Sequence, residues 1–177
     1  MFIQHNGLVI RNAEAKDAPQ LCAWWNDGQV MAHAGFPNGL GTTAEKIAAD
    51  VAADTDDTRR RLMLEYQGVP IGEACFRVTD RQTAEIGIKI CDFSMQEKGL
   101  GKQLLSLLIC ALFERGFAKI TLDTNLNNTR AQHVYERLGF RRIGVRYDSW
   151  RDQLGRLQSA VDYELTAEDF IDFAKET

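Results

Sequence analysis

Apolar positions along the chain change their period several times, and each change marks an element. Leu8, Val9 and Ile10 begin a short strand, after which Asp17 and Pro19 form a helix start leading into Leu21, Cys22, Trp24 and Trp25. Gly35, Pro37, Asn38, Gly39 and Gly41 make a loop, and Thr42 or Thr43 caps a second helix carrying Ile47, Ala48 and Val51. Alternation through Leu62, Leu64 and Tyr66, a turn at Gln67-Gly68 and a run over 69–78 predict a hairpin. Ile86, Ile88 and Ile90 add a third strand over 83–91, also read as antiparallel. Helical spacing then takes over at Leu104, Leu105, Leu108, Ile109, Leu112 and Phe113, with Gly116 as the stop. Ile120 and Leu122 alternate with Thr121 and Asp123 in a strand over 119–125. Asn127 or Asn128 caps a shorter helix holding Ala131, Val134, Tyr135 and Leu138, which ends at Gly139. Two last strands, about 140–147 and 156–165, flank a turn at 152–155.

The strand ending near Cys91, the long helix and the strand over 119–125 form a βαβ crossover, so those two strands run parallel in an otherwise antiparallel sheet. The 177 residues suit one domain, 1–177, of mixed α/β (α+β) class. With 45% hydrophobic and 26% charged residues the composition is that of a soluble globular protein. No apolar run approaches the roughly 20 residues of a spanning helix, so no membrane is expected and a cytoplasmic location follows. A net charge of -4 argues against a broad nucleic-acid footprint, and Arg137, Arg141, Arg142 and Arg146 read as a solvated helix end and strand face. Cys22, Cys75, Cys91 and Cys110 lie far apart with no C-x-x-C pair, which signals neither a metal site nor a disulfide framework.

The chemistry gathers where the long helix begins, in Gln96-Glu97-Lys98-Gly99-Leu100-Gly101-Lys102. A helix N-terminus exposes unpaired N–H groups and a partial positive charge, and two glycines let an anion approach them. A Walker A loop is absent, and Leu104 stands where a dinucleotide fingerprint needs its third glycine, so a nucleotide-binding protein is the weaker alternative.

Gln96 through Gly101 in the order Q-x-x-G-x-G resembles the pyrophosphate motif of the GNAT superfamily of acetyl-CoA-dependent N-acetyltransferases. A second stretch, 128–140, is similar to the family's N-x-x-A-x-x-x-Y-x-x-x-G-F segment through Asn128, Ala131, Tyr135, Gly139 and Phe140. The resemblance implies a GNAT fold of about six to seven strands with about four helices. It also implies acetyl-CoA as cosubstrate, with no metal, and transfer to a primary amine, either a small molecule or a peptide N-terminus. A nonenzymatic acyl-CoA-binding module is the alternative. On the same ground the coenzyme's diphosphate would lie on Gln96, Glu97, Lys98, Gly99, Leu100, Gly101 and Lys102. Its arm would lie along Lys89, Ile90 and Cys91, with Asn128 beside it, and Tyr135 would protonate the departing thiolate. For the base, Glu85 is favoured over Asp123 and Glu73. His33 and one of Trp24 and Trp25 fall where family members shape the acceptor pocket, and W-x-N-D at Trp24 to Asp27 resembles the branch with ribosomal-protein N-terminal acetyltransferases. A homodimer through a C-terminal edge strand is a further expectation from the family.

Overall fold

A computed structural model describes residues 1–174. A hairpin of β1 (Phe2–His5) and β2 (Leu8–Asn12) opens the chain. Its turn is Asn6-Gly7, both in the left-handed region at φ 47° and 79°, as a tight right-twisting hairpin requires. Then come α1 (Ala18–Trp25), the single-turn α2 (Gly28–Met31) and α3 (Ala44–Ala52), followed by the meander β3 (Arg59–Tyr66), β4 (Val69–Asp80) and β5 (Thr83–Ile90). The crossover helix α4 (Leu100–Glu114) leads to β6 (Lys119–Asn125), α5 (Thr129–Arg137), β7 (Arg141–Arg151) and β8 (Leu157–Thr166).

The eight strands form one sheet in the order β1-β2-β3-β4-β5-β6-β8-β7, parallel at β5–β6 and antiparallel at the other pairs. The sheet therefore has one strand more than the sequence pattern predicts, and α2 adds a short helix. Both additions lack an apolar signature: β1 is a half-exposed edge strand, and α2 is one turn inside a loop of turn-forming residues.

The amphipathic pattern of α4 buries Leu104, Leu105, Leu108, Ile109 and Leu112 against one sheet face, where they meet residues such as Ile10, Leu62, Leu64 and Phe76. Five such side chains contribute on the order of 10 kcal/mol of gross burial energy, before the cost of ordering them. Met63 alternates to the opposite face and packs with Leu21, Ile47 and Val51 of α1 and α3. A buried ion pair pins that layer. The Arg11 guanidinium grips Asp17 at 2.7 and 2.8 Å and Glu65 at 2.7 Å. Burial pushes the Asp17 carboxyl up, but the Arg11 fork and the Glu14 amide outweigh it and hold it below the usual range.

One feature of the sheet positions the site. β5 and β6 pair only over Thr83–Glu85 and Lys119–Thr121, although both strands run on. Beyond that point β5 stays with β4 as far as Ile90, and β6 stays with β8 as far as Asn125, so the sheet splits. Within the split, alternate residues of each strand aim their N–H and C=O groups into the gap instead of at a neighbour.

Candidate active site

The split opens into a cleft of about 890 Å³, closed on one side by the start of α4, on another by α5 and at the far end by α2 and β7. Around Cys91 the chain leaves the sheet sharply, because the Cys91 and Asp92 amides both donate to the Ile71 carbonyl, at 2.9 and 3.0 Å. A one-turn 3-10 helix capped by Asp92 follows. Glu97 (φ 60°) and Gly99 (φ 79°) then place two left-handed residues on either side of Lys98 before α4 begins. The first helical bond of α4 runs from the Gln103 amide to the Gly99 carbonyl, 3.2 Å, leaving the amides of Leu100, Gly101 and Lys102 without a helical acceptor. A Cβ on Gly99 would meet nothing within 4 Å, and one on Gly101 only Ile90 Cγ1 at 3.6 Å. Gly99 is required by its φ; at Gly101 the protein leaves room, and the room faces the cleft.

Gln96 braces this bend. Its side-chain nitrogen donates to the Ile90 carbonyl at 2.8 Å, and its oxygen accepts from Arg130 at 2.8 Å, so one amide ties the end of β5 to α5. Arg130 also approaches Glu97 at 3.5 Å. The Asn128 side chain caps α5 by accepting from the Ala131 amide at 3.3 Å, while its nitrogen points to Thr124 Oγ1 at 3.4 Å. Tyr135, on the buried face of α5, stands edge-on to Phe140 and Tyr163 at 5.8 Å from each ring. Its side chain lines the cleft. Burial, then Asp123 and Tyr163, push its pKa up to about 12, so it keeps its proton across the ordinary pH range.

Of the residues singled out by sequence, Lys89, Ile90, Gln96, Glu97, Gly99, Gly101, Lys102, Asp123, Asn128 and Tyr135 come together on the cleft wall, as does His33. Five do not line it. Leu100 turns its side chain into the core, leaving only its amide for a ligand, and Lys98 extends outward to Met95 Sδ at 3.8 Å. Cys91 is buried with its amide already used, and burial pushes its thiol up to about 12, far from a reactive thiolate. Glu85 lies where β5 and β6 are still paired, and a single Arg77 nitrogen holds both its oxygens at 2.7 and 2.8 Å. Glu73 lies behind the cleft wall, paired with Lys89 at 3.1 Å.

Arg130 and Trp150 line the cleft without having been singled out by sequence, and Arg146, expected on a solvated strand face, lines it too. Arg130 occupies an unassigned position of the second motif. Arg146 and Trp150 arrive from a hairpin that folds back from the far end of the chain, a placement no local pattern reports. Trp150 rests on Gly35, whose Cβ would come within 2.3 Å of the indole. Gln153, in the β7–β8 turn, locks the same loop by donating its amide to the Gly35 carbonyl at 2.8 Å. Its side chain accepts from the Asn38 amide at 2.9 Å and donates to the Gly39 carbonyl at 3.0 Å. Neither Trp24 nor Trp25 lines the cleft; both pack against the α1–α3 cluster.

A split mixed sheet with a glycine-led helix start in the gap defines a fold class, and comparison with known proteins agrees. The sequence profile of the acetyltransferase (GNAT) family matches residues 37–140, and the chain belongs to that family. A ribosomal protein bS18-alanine N-acetyltransferase from Haemophilus ducreyi is 34% identical over 70 residues, 40% of this chain and 48% of that protein, so the match spans about half of that relative's length. A ribosomal L7/L12 α-N-protein acetyltransferase in complex with coenzyme A superposes with a TM-score of 0.83 at 19% identity, covering 94% of this chain and 98% of the other. The spermidine N-acetyltransferase of Vibrio cholerae with coenzyme A and spermine gives 0.80 at 22% identity, over 92% and 97%. At these identities the two structures share the fold with this chain. No helix among the described residues is long and apolar enough to cross a membrane.

Proposed function

We propose that this chain transfers an acetyl group from acetyl-CoA to a primary amine by direct attack. The observation that carries the reading is that one cleft holds both a helix start with free amides and a protonated tyrosine hydroxyl. Acetyl-CoA supplies a thioester whose carbonyl carbon accepts an amine lone pair. The amides of Leu100, Gly101 and Lys102 would take the diphosphate, with Arg130 offsetting its charge; the Lys102 ammonium rests over the Phe173 ring at 3.6 Å. Unpaired backbone groups of β5 toward Ile90 would hold the arm and the carbonyl oxygen as charge develops there.

As the new C–N bond forms, the C–S bond breaks, and Tyr135 gives its proton to the leaving sulfur. The amine must lose a proton as well. Asp123, paired with Arg146, is the candidate base on the wall, and Glu85 serves only if its Arg77 clamp opens. Asn128 contributes by fixing the start of α5, and so the placement of Tyr135.

A cytoplasmic setting belongs to this reading, supported by four cysteines in the free thiol form. So does pairing with a second copy through β7, an edge strand that leaves Ile143 and Tyr147 exposed. The test is thiol release from acetyl-CoA across polyamines, amino acids, aminoglycosides and N-terminal peptides, with Asp123→Asn and Glu85→Gln alongside. Amine-dependent release is the expected result. Coenzyme binding with no release from any amine makes the chain a binding module, and protection by ATP or NAD without protection by CoA makes it a nucleotide binder.

A further inference from the structure

The end of the cleft lined by β7 has a distinct charge arrangement. Arg146 donates from Nε to both oxygens of Asp162, at 2.9 and 3.1 Å, and its Nη2 reaches Asp162 at 2.8 Å and Asp123 as well. One guanidinium is thus shared by two carboxylates, and these hydrogen bonds, Asp162 first, raise its affinity for its proton. Lys89, the other cation on this part of the wall, is committed to Glu73 at 3.1 Å. Asp123 remains more than half exposed, facing the cleft, whose wall also carries Trp150, seated on Gly35.

Building on the proposed acetyl transfer, we infer that this pocket selects amines that carry no carboxylate next to the reacting nitrogen, with the Asp123–Arg146–Asp162 cluster as the selector. An incoming ammonium meets Asp123 and an indole face that attracts cations. A free amino acid brings its carboxylate to the same place. There it must displace Asp123 or Asp162 from Arg146, or lie unpaired beside two like charges. Diamines and peptide N-termini both satisfy the pocket, because neither has a carboxylate on the carbon bearing the amine.

Matched pairs test this: putrescine against ornithine counted at its α-nitrogen only, the acetylated position being identified in the product, and alanine amide and an alanine-led peptide amide against alanine, each read as kcat/KM with acetyl-CoA saturating. The carboxylate-free member should win by about tenfold or more in every pair, and the diamine and peptide arms then separate small-molecule from peptide acceptors. Ratios within about threefold overturn this inference and leave acetyl transfer standing, whereas no thiol release with any amine overturns both. Asp162→Asn frees the Nε edge of Arg146 and should narrow the putrescine-to-ornithine ratio about fivefold, with the KM for acetyl-CoA unchanged. An unchanged ratio in the folded variant removes Arg146 from the selector.

Discussion

Gly99 and Gly101 look alike in the sequence but make different demands. The φ of 79° at Gly99 means that Gly99→Ala costs about 1 kcal/mol or more of stability and also puts a methyl at the cleft. Gly101 sits inside α4 without a left-handed φ, and its added methyl meets only ordinary contact. Gly101→Ala should therefore leave thermal stability unchanged or raised by about 0.5 kcal/mol, while acetyl-CoA binding by calorimetry weakens tenfold or more. Unimpaired binding would mean that nothing anionic approaches that amide. Tyr135→Phe keeps the ring packing and removes the proton, so kcat should fall about 100-fold or more with little change in acetyl-CoA affinity.

Tyr135 also links structure to pH. Its folded pKa, near 12, lies above the ordinary tyrosine value of about 10, so above pH 10 the unfolded chain gives up a proton that the folded one keeps. Stability must then fall as pH rises from 10 towards 12, by about 1.4 kcal/mol per pH unit for this group. Urea unfolding at pH 9.5 and 11 should show that loss, and Tyr135→Phe should reduce it.

Among elements, the long apolar helix was plain from its spacing, because a 3.6-residue period imposed by burial on one face is a local property of the chain. The β1 hairpin and α2 were not, since neither buries an apolar stripe of its own. Loop 35–41 could be read as a loop, but its conformation is set by Gln153, more than a hundred residues away. The same distance in sequence hides the Trp150 seat. Gly35→Ala forces the indole out of that seat, so the acceptor KM should rise about tenfold while the acetyl-CoA KM stays put, because the glycine bend of α4 lies at the other end of the cleft. Equal changes in both would show that the loop supports the whole cleft.

For the whole molecule, the two faces of the sheet carry different risks. The α4 side is held by apolar packing around the buried Ser106 hydroxyl, which accepts from the Phe173 amide at 2.9 Å, whereas the α1–α3 side depends on the Arg11, Asp17 and Glu65 cluster. Arg11→Met leaves two nearly buried carboxylates, Asp17 and Glu65, without their cation and should lower stability by about 3 kcal/mol, a fall in Tm of roughly 6–12 °C. Because Asp17 titrates below its ordinary value when folded, its contribution is present at neutral pH and is lost as pH drops through the acid range. The variant should accordingly lose less stability than the parent between pH 5 and pH 3.

The sequence alone determined the class of fold, the position of the crossover and the place of the glycine bend that starts α4. Each of these rests on residues close together in the chain: a burial period, two glycines at a helix start, a cap and a stop. Tertiary structure decided how the site is furnished. It opened the gap by holding β5 to β4 and β6 to β8, turned Leu100 inward and clamped Glu85 away from the cleft. It also carried Arg146 and Trp150 in from the last hairpin, because groups that meet only when distant strands close leave no periodic mark on the chain.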